Sequence, residues 1–192
     1  MPNIVAFGAS SSKNSINRKL AHFAAKQVPN AHINLLDLND YEMPLYSTDR
    51  EKEGIPKQAH AFKAALQASD GIIISFAEHN GAYTTAFKNI FDWISRLEKP
   101  IWCGKPLFLL STSTGVRGAK TVLELAHLRL SRDMPNIPCF ALPSFKETFD
   151  EETGITDPVS NIAITKNVYD NSINNYQLCC SKERVNDPFI NN

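Results

Sequence analysis

Five short apolar runs alternate with longer segments of helical period, and this alternation constrains the fold of the chain more than any other feature. Such a pattern builds a parallel sheet that is covered by helices on both faces. The run from Gly71 to Phe76 does not alternate polar with apolar residues, as expected of a central strand. The predicted strands are Asn3 to Phe7, His32 to Leu38, Gly71 to Phe76, Pro106 to Leu110 and Ile137 to Leu142.

The helical segments between these runs determine how the strands connect. Thr84 is the predicted N-cap of the middle helix, and Asp157 precedes Pro158 at the start of the last one. Because parallel crossovers are right-handed, the repeat predicts an α/β, flavodoxin-like three-layer sandwich with a five-stranded parallel sheet of order 2-1-3-4-5. We expect a single flavodoxin-like domain over residues 1–180 and a polar C-terminal tail over residues 181–192.

The charge of the chain is balanced, with 20 Lys plus Arg against 20 Asp plus Glu, so no strong field favours nucleic acid. No apolar stretch has the length of a membrane span, and no basic segment precedes the first apolar run. We therefore expect a soluble, cytoplasmic protein without a nucleic-acid or membrane partner. The four cysteines form no CxxC pair, and Cys139 is expected to act as a small hydrophobic residue.

The turn after the first strand, residues 8–17, reads GASSSKNSIN. Its hydroxyl, amide and lysine side chains precede a helix, whose start stabilises an anion by about 0.3–1 kcal/mol. This composition predicts a phosphate-binding loop, although a serine-rich N-cap without a ligand would read the same way. The turn lacks the GxGxxG fingerprint, and a Walker A loop would need glycine where Thr114 and Ala119 stand, so both of these nucleotide motifs are excluded.

Two further polar loops follow neighbouring strands, over residues 77–85 and 111–118. The carboxyl ends of parallel strands lie at one edge of a sheet, where open α/β sheets bind ligands, so the three loops should meet there. Their polar groups and glycine backbone could bond the rim of a flat heteroaromatic ring, with His79 or Tyr83 against its face. Each loop alone reads as a simple turn, and their coincidence predicts a site.

On these motifs the sequence resembles the NAD(P)H-dependent FMN reductases, a family that includes chromate, quinone and azo-dye reductases. The resemblance runs from about Asn3 to Ser144. The family's first loop reads GSxRxxSxN, its second reads PEYN with KN and DW on the following helix, and its third is a serine and glycine turn. The matching residues here are Ser10, Ser15, Asn17, Glu78, Asn80, Lys88, Asn89, Asp92, Trp93, Ser113 and Gly115.

Three positions depart from the family pattern. Ser12 stands in place of the phosphate-binding arginine, Ala77 in place of the proline and His79 in place of the tyrosine. Loss of the charged donor at the first position would cost about 1.5–3 kcal/mol, roughly ten- to a hundredfold in affinity. Lys13, next to that position, could supply the missing charge.

The resemblance implies an enzyme in which NADPH or NADH gives a hydride to bound FMN. The reduced flavin then passes electrons to a quinone, a dye, a metal oxyanion or a free flavin. No side chain needs to act as acid or base. The cofactor-binding residues that the resemblance and the loops predict are Ser10, Ser12, Lys13, Ser15, Ile16, Asn17, Ala77, Glu78, His79, Asn80, Gly81, Tyr83, Ser113, Thr114 and Gly115.

Two alternatives to this function stay open at the level of the sequence. One is a non-enzymatic electron carrier of flavodoxin type, against which the neutral charge and the serine-rich first loop argue. The other is a degenerate relative that binds no flavin and serves as an interaction protein, which the changes at Ser12 and His79 would permit. The spectrum of the protein with FMN, and then oxidation of NADPH, would separate the three readings.

Remaining features of the sequence point to structural roles. Lys88 and Asp92 are spaced as an ion pair within one helix, and Glu124 with His127 lacks the second such pair that a metal site needs. Val122 and Leu125 mark one apolar face of the fourth helix, while Leu123 and Leu130 mark another. An apolar surface that covers two faces is wider than contact with one sheet needs. We therefore expect the fourth helix to be buried against a partner, or else under a loop. The resemblance implies a homodimer or homotetramer built on the third and fourth helices.

Overall fold

The fold is built on a central parallel sheet. The computed structural model describes residues 1–167. Its order in space is β2-β1-β3-β6-β7, which corresponds to 2-1-3-4-5 among the main strands and confirms the predicted topology. The main strands are β1 (Asn3–Ala9), β2 (His32–Leu36), β3 (Gly71–Phe76), β6 (Leu107–Thr112) and β7 (Cys139–Leu142). Two short antiparallel hairpins join β4 (Glu78–His79) to β5 (Ala82–Tyr83) and β8 (Phe149–Asp150) to β9 (Gly154–Ile155).

The α-helices before residue 158 are α1 (Ile16–Lys26), α2 (Thr48–Lys52), α3 (Lys57–Gln67), α4 (Thr85–Ile94), α5 (Lys120–Leu130) and α6 (Phe145–Thr148). A 3-10 turn spans Leu38–Tyr41, and residues 158–167 are also helical. Both predicted caps are confirmed, because the hydroxyl of Thr84 accepts from Phe87 N and the carboxylate of Asp157 accepts from Ser160 N. No helix among residues 1–167 is long and apolar enough to cross a membrane.

Alternate residues of each strand point to opposite faces of the sheet and divide the core in two. Val5, Phe7 and Ile74 belong to a cluster that includes buried residues of α3, α4 and α5. Ala6 and Ile73 lie in the other cluster, which includes the apolar face of α1. The three-layer sandwich therefore follows from strands that are apolar on both sides, as β1, β3 and β6 are.

The long connection after β2 is fastened to α4 through its backbone. The amide of Asn89 donates to the carbonyls of Met43 and Pro44, each at 3.1 Å, and its oxygen accepts from Tyr46 N at 2.8 Å. Trp93 Nε1 donates to Pro44 O at 2.7 Å. Asn89 and Trp93, which belong to the family's KN and DW pattern, thus hold the connection after β2 in place. Lys88, in the same pattern, forms the predicted ion pair with Asp92 at 2.7 Å.

Two expectations about side chains are wrong. Leu123 and Leu130 do not form a separate surface of α5, because both are buried in the same core cluster as Val122, where α5 packs against β5, β6 and β7. Cys139 is exposed, since it begins the edge strand β7. The predicted tail, the domain boundary at residue 180 and Cys179 with Cys180 lie outside the described residues.

Candidate functional site

The structure brings the three polar loops together at the carboxyl edge of the sheet. Thr84, at the end of the second loop, donates its hydroxyl to Ala9 O at the start of the first loop, at 2.8 Å. Asn17, at the end of the first loop, donates its side-chain amide to Thr112 O at 3.1 Å, at the start of the third loop. These bonds connect segments that are 75 and 95 residues apart in the chain.

The first loop leads into α1 with free backbone donors. Ser15 caps the helix, since its hydroxyl accepts from Arg18 N at 3.2 Å. Within the described residues no hydrogen bond uses the N–H of Ile16 or Asn17, as expected at the start of a helix. Ser10 is half-buried, whereas Ser12 and Lys13 are exposed beside these donors.

Gly8 allows this close approach between β1 and α1. A Cβ atom at Gly8 would lie 2.4 Å from Arg18 N and 2.9 Å from the carbonyl carbon of Asn17. Real Cβ atoms do not come that near to backbone, so any larger residue would push the start of α1 away from the strand. The position of the N–H groups in the first loop therefore depends on glycine at position 8.

Asn17 has a buried side chain that joins three elements. Its amide oxygen accepts from Ser75 Oγ at 2.7 Å and from Thr112 N at 3.0 Å, and its nitrogen donates to Thr112 O at 3.1 Å. With 3% of its surface exposed, the side chain connects α1 to the ends of β3 and β6. Because these contacts occupy the side chain, the backbone N–H is the polar group of Asn17 that no described residue binds.

The second loop folds back as the β4–β5 hairpin. Asn80 and Gly81 form its turn with φ of 52° and 76°. Positive φ at both central residues is typical of a type I′ turn, which Asn-Gly favours. His79, Asn80 and Gly81 are exposed at this turn, and Ala77 is half-buried at its base.

The ring of Tyr83 faces inward, whereas the sequence predicts either His79 or Tyr83 against the face of a bound ring. Its ring packs against Phe76 and Phe87, with centroids 5.8 and 5.2 Å away. Burial raises the pKa of its hydroxyl to about 12, although the charge of Arg129 acts in the opposite direction. The exposed His79 is therefore the ring that this loop presents at the rim.

Glu78 reaches from the second loop to α5. Its carboxylate Oε2 accepts from Val122 N at 3.0 Å, so the side chain binds a helix that begins after the third loop. Glu78, which is predicted to bind the cofactor, therefore also makes a direct contact within the protein.

The third loop is compact and is held by the residues that follow β7. Ser144 N donates to Gly115 O at 3.0 Å, and Phe145 N donates to Ser113 O at 2.9 Å. Gly118 has φ of 57° and lies so close to β7 that a Cβ atom there would be 2.6 Å from Leu142 O. Thr114 and Gly115 are exposed, and Ser113 is half-buried.

The donors at this edge fit a phosphorylated flavin. Free helical N–H groups, serine hydroxyls and the Lys13 ammonium can bind a phosphate. Small residues on the second and third loops leave backbone groups accessible to the polar edge of a ring, and His79 offers an aromatic face. The first loop would not repel the phosphate, because residues 8–17 contain neither Asp nor Glu.

Comparison with known proteins identifies the family. The family model of the NADPH-dependent FMN reductases matches residues 2–147, which is most of the chain. The chain belongs to this family. Membership confirms the predicted class, a flavin-dependent oxidoreductase that uses FMN and a nicotinamide nucleotide. It argues against a non-enzymatic carrier of flavodoxin type.

Individual relatives resemble this chain in sequence or in fold. A 2-hydroxy-1,4-benzoquinone reductase from a Burkholderia species is 34% identical over 61% of the chain and 62% of its own length. An NADPH:quinone oxidoreductase from Arabidopsis thaliana is 30% identical over 70% of both chains. The structure of FerB, an NAD(P)H:(acceptor) oxidoreductase from Paracoccus denitrificans, has a TM-score of 0.66 at 24% identity and covers 88% of this chain and 93% of its own.

The sequence did not reveal which side chains of the three loops make long-range contacts within the protein. The contacts of Asn17 and Glu78 join residues 95 and 44 positions apart, and no local spacing indicates such pairs. The β4–β5 hairpin did have a signal, because Asn80-Gly81 is a strong hairpin dipeptide. The prediction for residues 77–85 is a loop, and the structure shows a hairpin within it.

Proposed function

We propose that the protein binds FMN between its three loops and transfers a hydride from NADPH or NADH through the flavin to a quinone. The observation that carries this proposal is the convergence of the loops through the bonds of Thr84 and Asn17. Quinone is favoured as the acceptor because two relatives, from Burkholderia and Arabidopsis, are described as quinone reductases. Dyes, metal oxyanions and free flavins are the other acceptors that the family resemblance implies.

Phosphate binding falls to the first loop. The N–H groups of Ile16 and Asn17 point out of the start of α1, and Ser10, Ser12 and Ser15 supply hydroxyls, although the hydroxyl of Ser15 also caps the helix. Ser12 provides a neutral donor where the family has arginine. We assign the missing positive charge to Lys13, which is exposed in the same loop.

Ring binding falls to the second and third loops. Ala77 through Gly81 provide backbone groups and the His79 ring, and residues 113–115 provide the opposite turn. FMN, when bound, accepts the hydride together with its electron pair. The residues of the site then have to orient the ring, exclude water from one face and leave the other face open to nicotinamide and quinone in turn.

An anaerobic titration tests the proposed reaction. FMN-loaded protein should lose its flavin absorbance on addition of one equivalent of NADPH or NADH and regain it when a quinone is added. Flavin that stays oxidised with both nucleotides would contradict the proposal. Flavin that stays reduced after the quinone is added, under strict exclusion of oxygen, would contradict quinone as the acceptor.

The role of Lys13 has its own test. Lys13→Ala should raise the Kd of FMN by roughly tenfold, because a charge-assisted contact contributes about 1.5–3 kcal/mol and an exposed one contributes at the lower end. Lys26→Ala is the matched control, since Lys26 is an exposed lysine at the far end of α1, the helix that follows the first loop. Equal FMN affinity in the wild type and in Lys13→Ala would refute the assignment.

For the oligomeric state, we propose a homodimer that covers the outer face of α5. Leu125 and Leu128 are 38% and 64% exposed there, one turn apart on the helix. Because exposed leucines one turn apart form a continuous apolar surface, a second copy would bury them. Leu128→Glu should convert the dimer to a monomer in analytical ultracentrifugation, and a wild-type protein that sediments as a monomer would contradict this.

A further inference from the structure

The helix α5 begins without a cap from its own sequence. Ala119, which precedes its first residue, has φ of 59° and ψ of 37° and makes no side-chain capping bond. Gly118 before it also has positive φ, at 57°. The chain thus enters α5 through two left-handed residues, and neither has a side chain that could accept from the free N–H groups of the first turn.

Glu78 supplies the missing cap from a distant part of the chain. Its Oε2 accepts from Val122 N at 3.0 Å, and Val122 is the third residue of α5. In most helices the side chain of the residue before the helix accepts from this same N–H. A carboxylate is also favoured here by the partial positive charge of a helix start.

The two ends of this contact belong to different walls of the proposed flavin site. Glu78 begins the β4–β5 hairpin, whose strands have only two residues each. A hairpin of that size is unstable by itself, so its position depends on what it contacts. Val122 follows the third loop directly, through a rigid helical turn. The bond therefore fixes the distance between the second and third loops.

We propose that Glu78 is a positioning residue, which sets the gap for the flavin ring by fastening the hairpin to α5. This inference rests on the proposed binding of FMN between these loops. Glu78 acts through Val122 and through its own backbone, not by contact of its carboxylate with the reacting atoms. Loss of the carboxylate should let the two walls separate and weaken flavin binding more than it weakens the fold.

Two variants of Glu78 and one control test this role. Glu78→Ala removes the acceptor, and it should raise the Kd of FMN about tenfold, the ratio that corresponds to about 1.4 kcal/mol, near the value of one charge-assisted hydrogen bond. Glu78→Gln keeps an oxygen that can accept from Val122 N, and it should restore the affinity to within about threefold of the wild type. Glu124→Ala removes a carboxylate that lies on α5 itself, exposed and 3.7 Å from Lys120 Nζ, and should leave the Kd unchanged.

Hydrogen exchange of the apoprotein separates positioning from a merely structural cap. Glu78→Ala should speed exchange in residues 78–83 and 120–123 together, with no FMN present. A lower melting temperature with an unchanged Kd of FMN would overturn the proposal, as would Gln behaving like Ala. If FMN binds the wild type but neither Lys13→Ala nor Gly115→Val weakens it, the proposed site itself fails, whatever Glu78 does.

Discussion

Replacing Asn17 by alanine should strongly destabilise the protein. The variant removes three hydrogen bonds of 2.7 to 3.1 Å in a side chain that is 3% exposed. Each is worth about 1 kcal/mol, and the Ser75 hydroxyl and the Thr112 N–H lose their partner in a buried place. We expect a loss of about 3 kcal/mol in the free energy of unfolding, which lowers Tm by about 6–12 °C for a chain of this length.

Urea unfolding followed by circular dichroism measures this loss. Asn14→Ala is the matched control, because Asn14 is an exposed asparagine of the same loop and its replacement should change the free energy by less than about 0.5 kcal/mol. FMN affinity should also fall in Asn17→Ala, since α1 is no longer fastened to β3 and β6. A loss below about 1 kcal/mol would refute the conclusion that Asn17 joins these elements.

Three further changes test other parts of the account. Gly8→Ala should cost about 2 kcal/mol or more and weaken FMN binding, because its Cβ would lie 2.4 Å from Arg18 N, and normal melting would contradict this packing. Asn89→Ala should open residues 43–46 to limited proteolysis, since the side chain makes three bonds to that segment, and an unchanged cleavage pattern would refute the role. The Asn39 backbone N–H lowers the pKa of Asp37 from its ordinary value, so the contribution of Asp37 to stability, present at neutral pH, is lost as the pH falls through the folded-state pKa. In Asp37→Asn the unfolding free energy should fall less steeply as the pH is lowered. An equally steep fall would contradict the contribution of Asp37 to stability.

The parts of the fold that depend on local pattern could be predicted from the sequence. The bounds of β3 agree with the prediction because an apolar run between two polar segments has clear ends. The cap formed by Thr84 and the ion pair of Lys88 could be predicted because each involves residues within one helical turn. The sheet order followed from the handedness of crossovers, which leaves few arrangements for a repeat of this length.

The contacts that shape the site could not be predicted in the same way. Asn89 and Trp93 match a family motif, yet their role as a fastening for residues 43–46 depends on where the chain returns after β2. Cys139 stands in an apolar stretch, but its exposure is decided by the place of β7 at the sheet edge. The roles of the individual loop residues in binding FMN stay predictions.

A crystal structure of the protein with FMN tests the central claim most directly. The account predicts that the phosphate lies within about 3 Å of the backbone nitrogens of Ile16 and Asn17, a hydrogen-bond distance. It also predicts that the ring lies between residues 77–83 and 113–115 with one face open. A flavin bound elsewhere on the molecule, or bound here with its phosphate away from the start of α1, would contradict it.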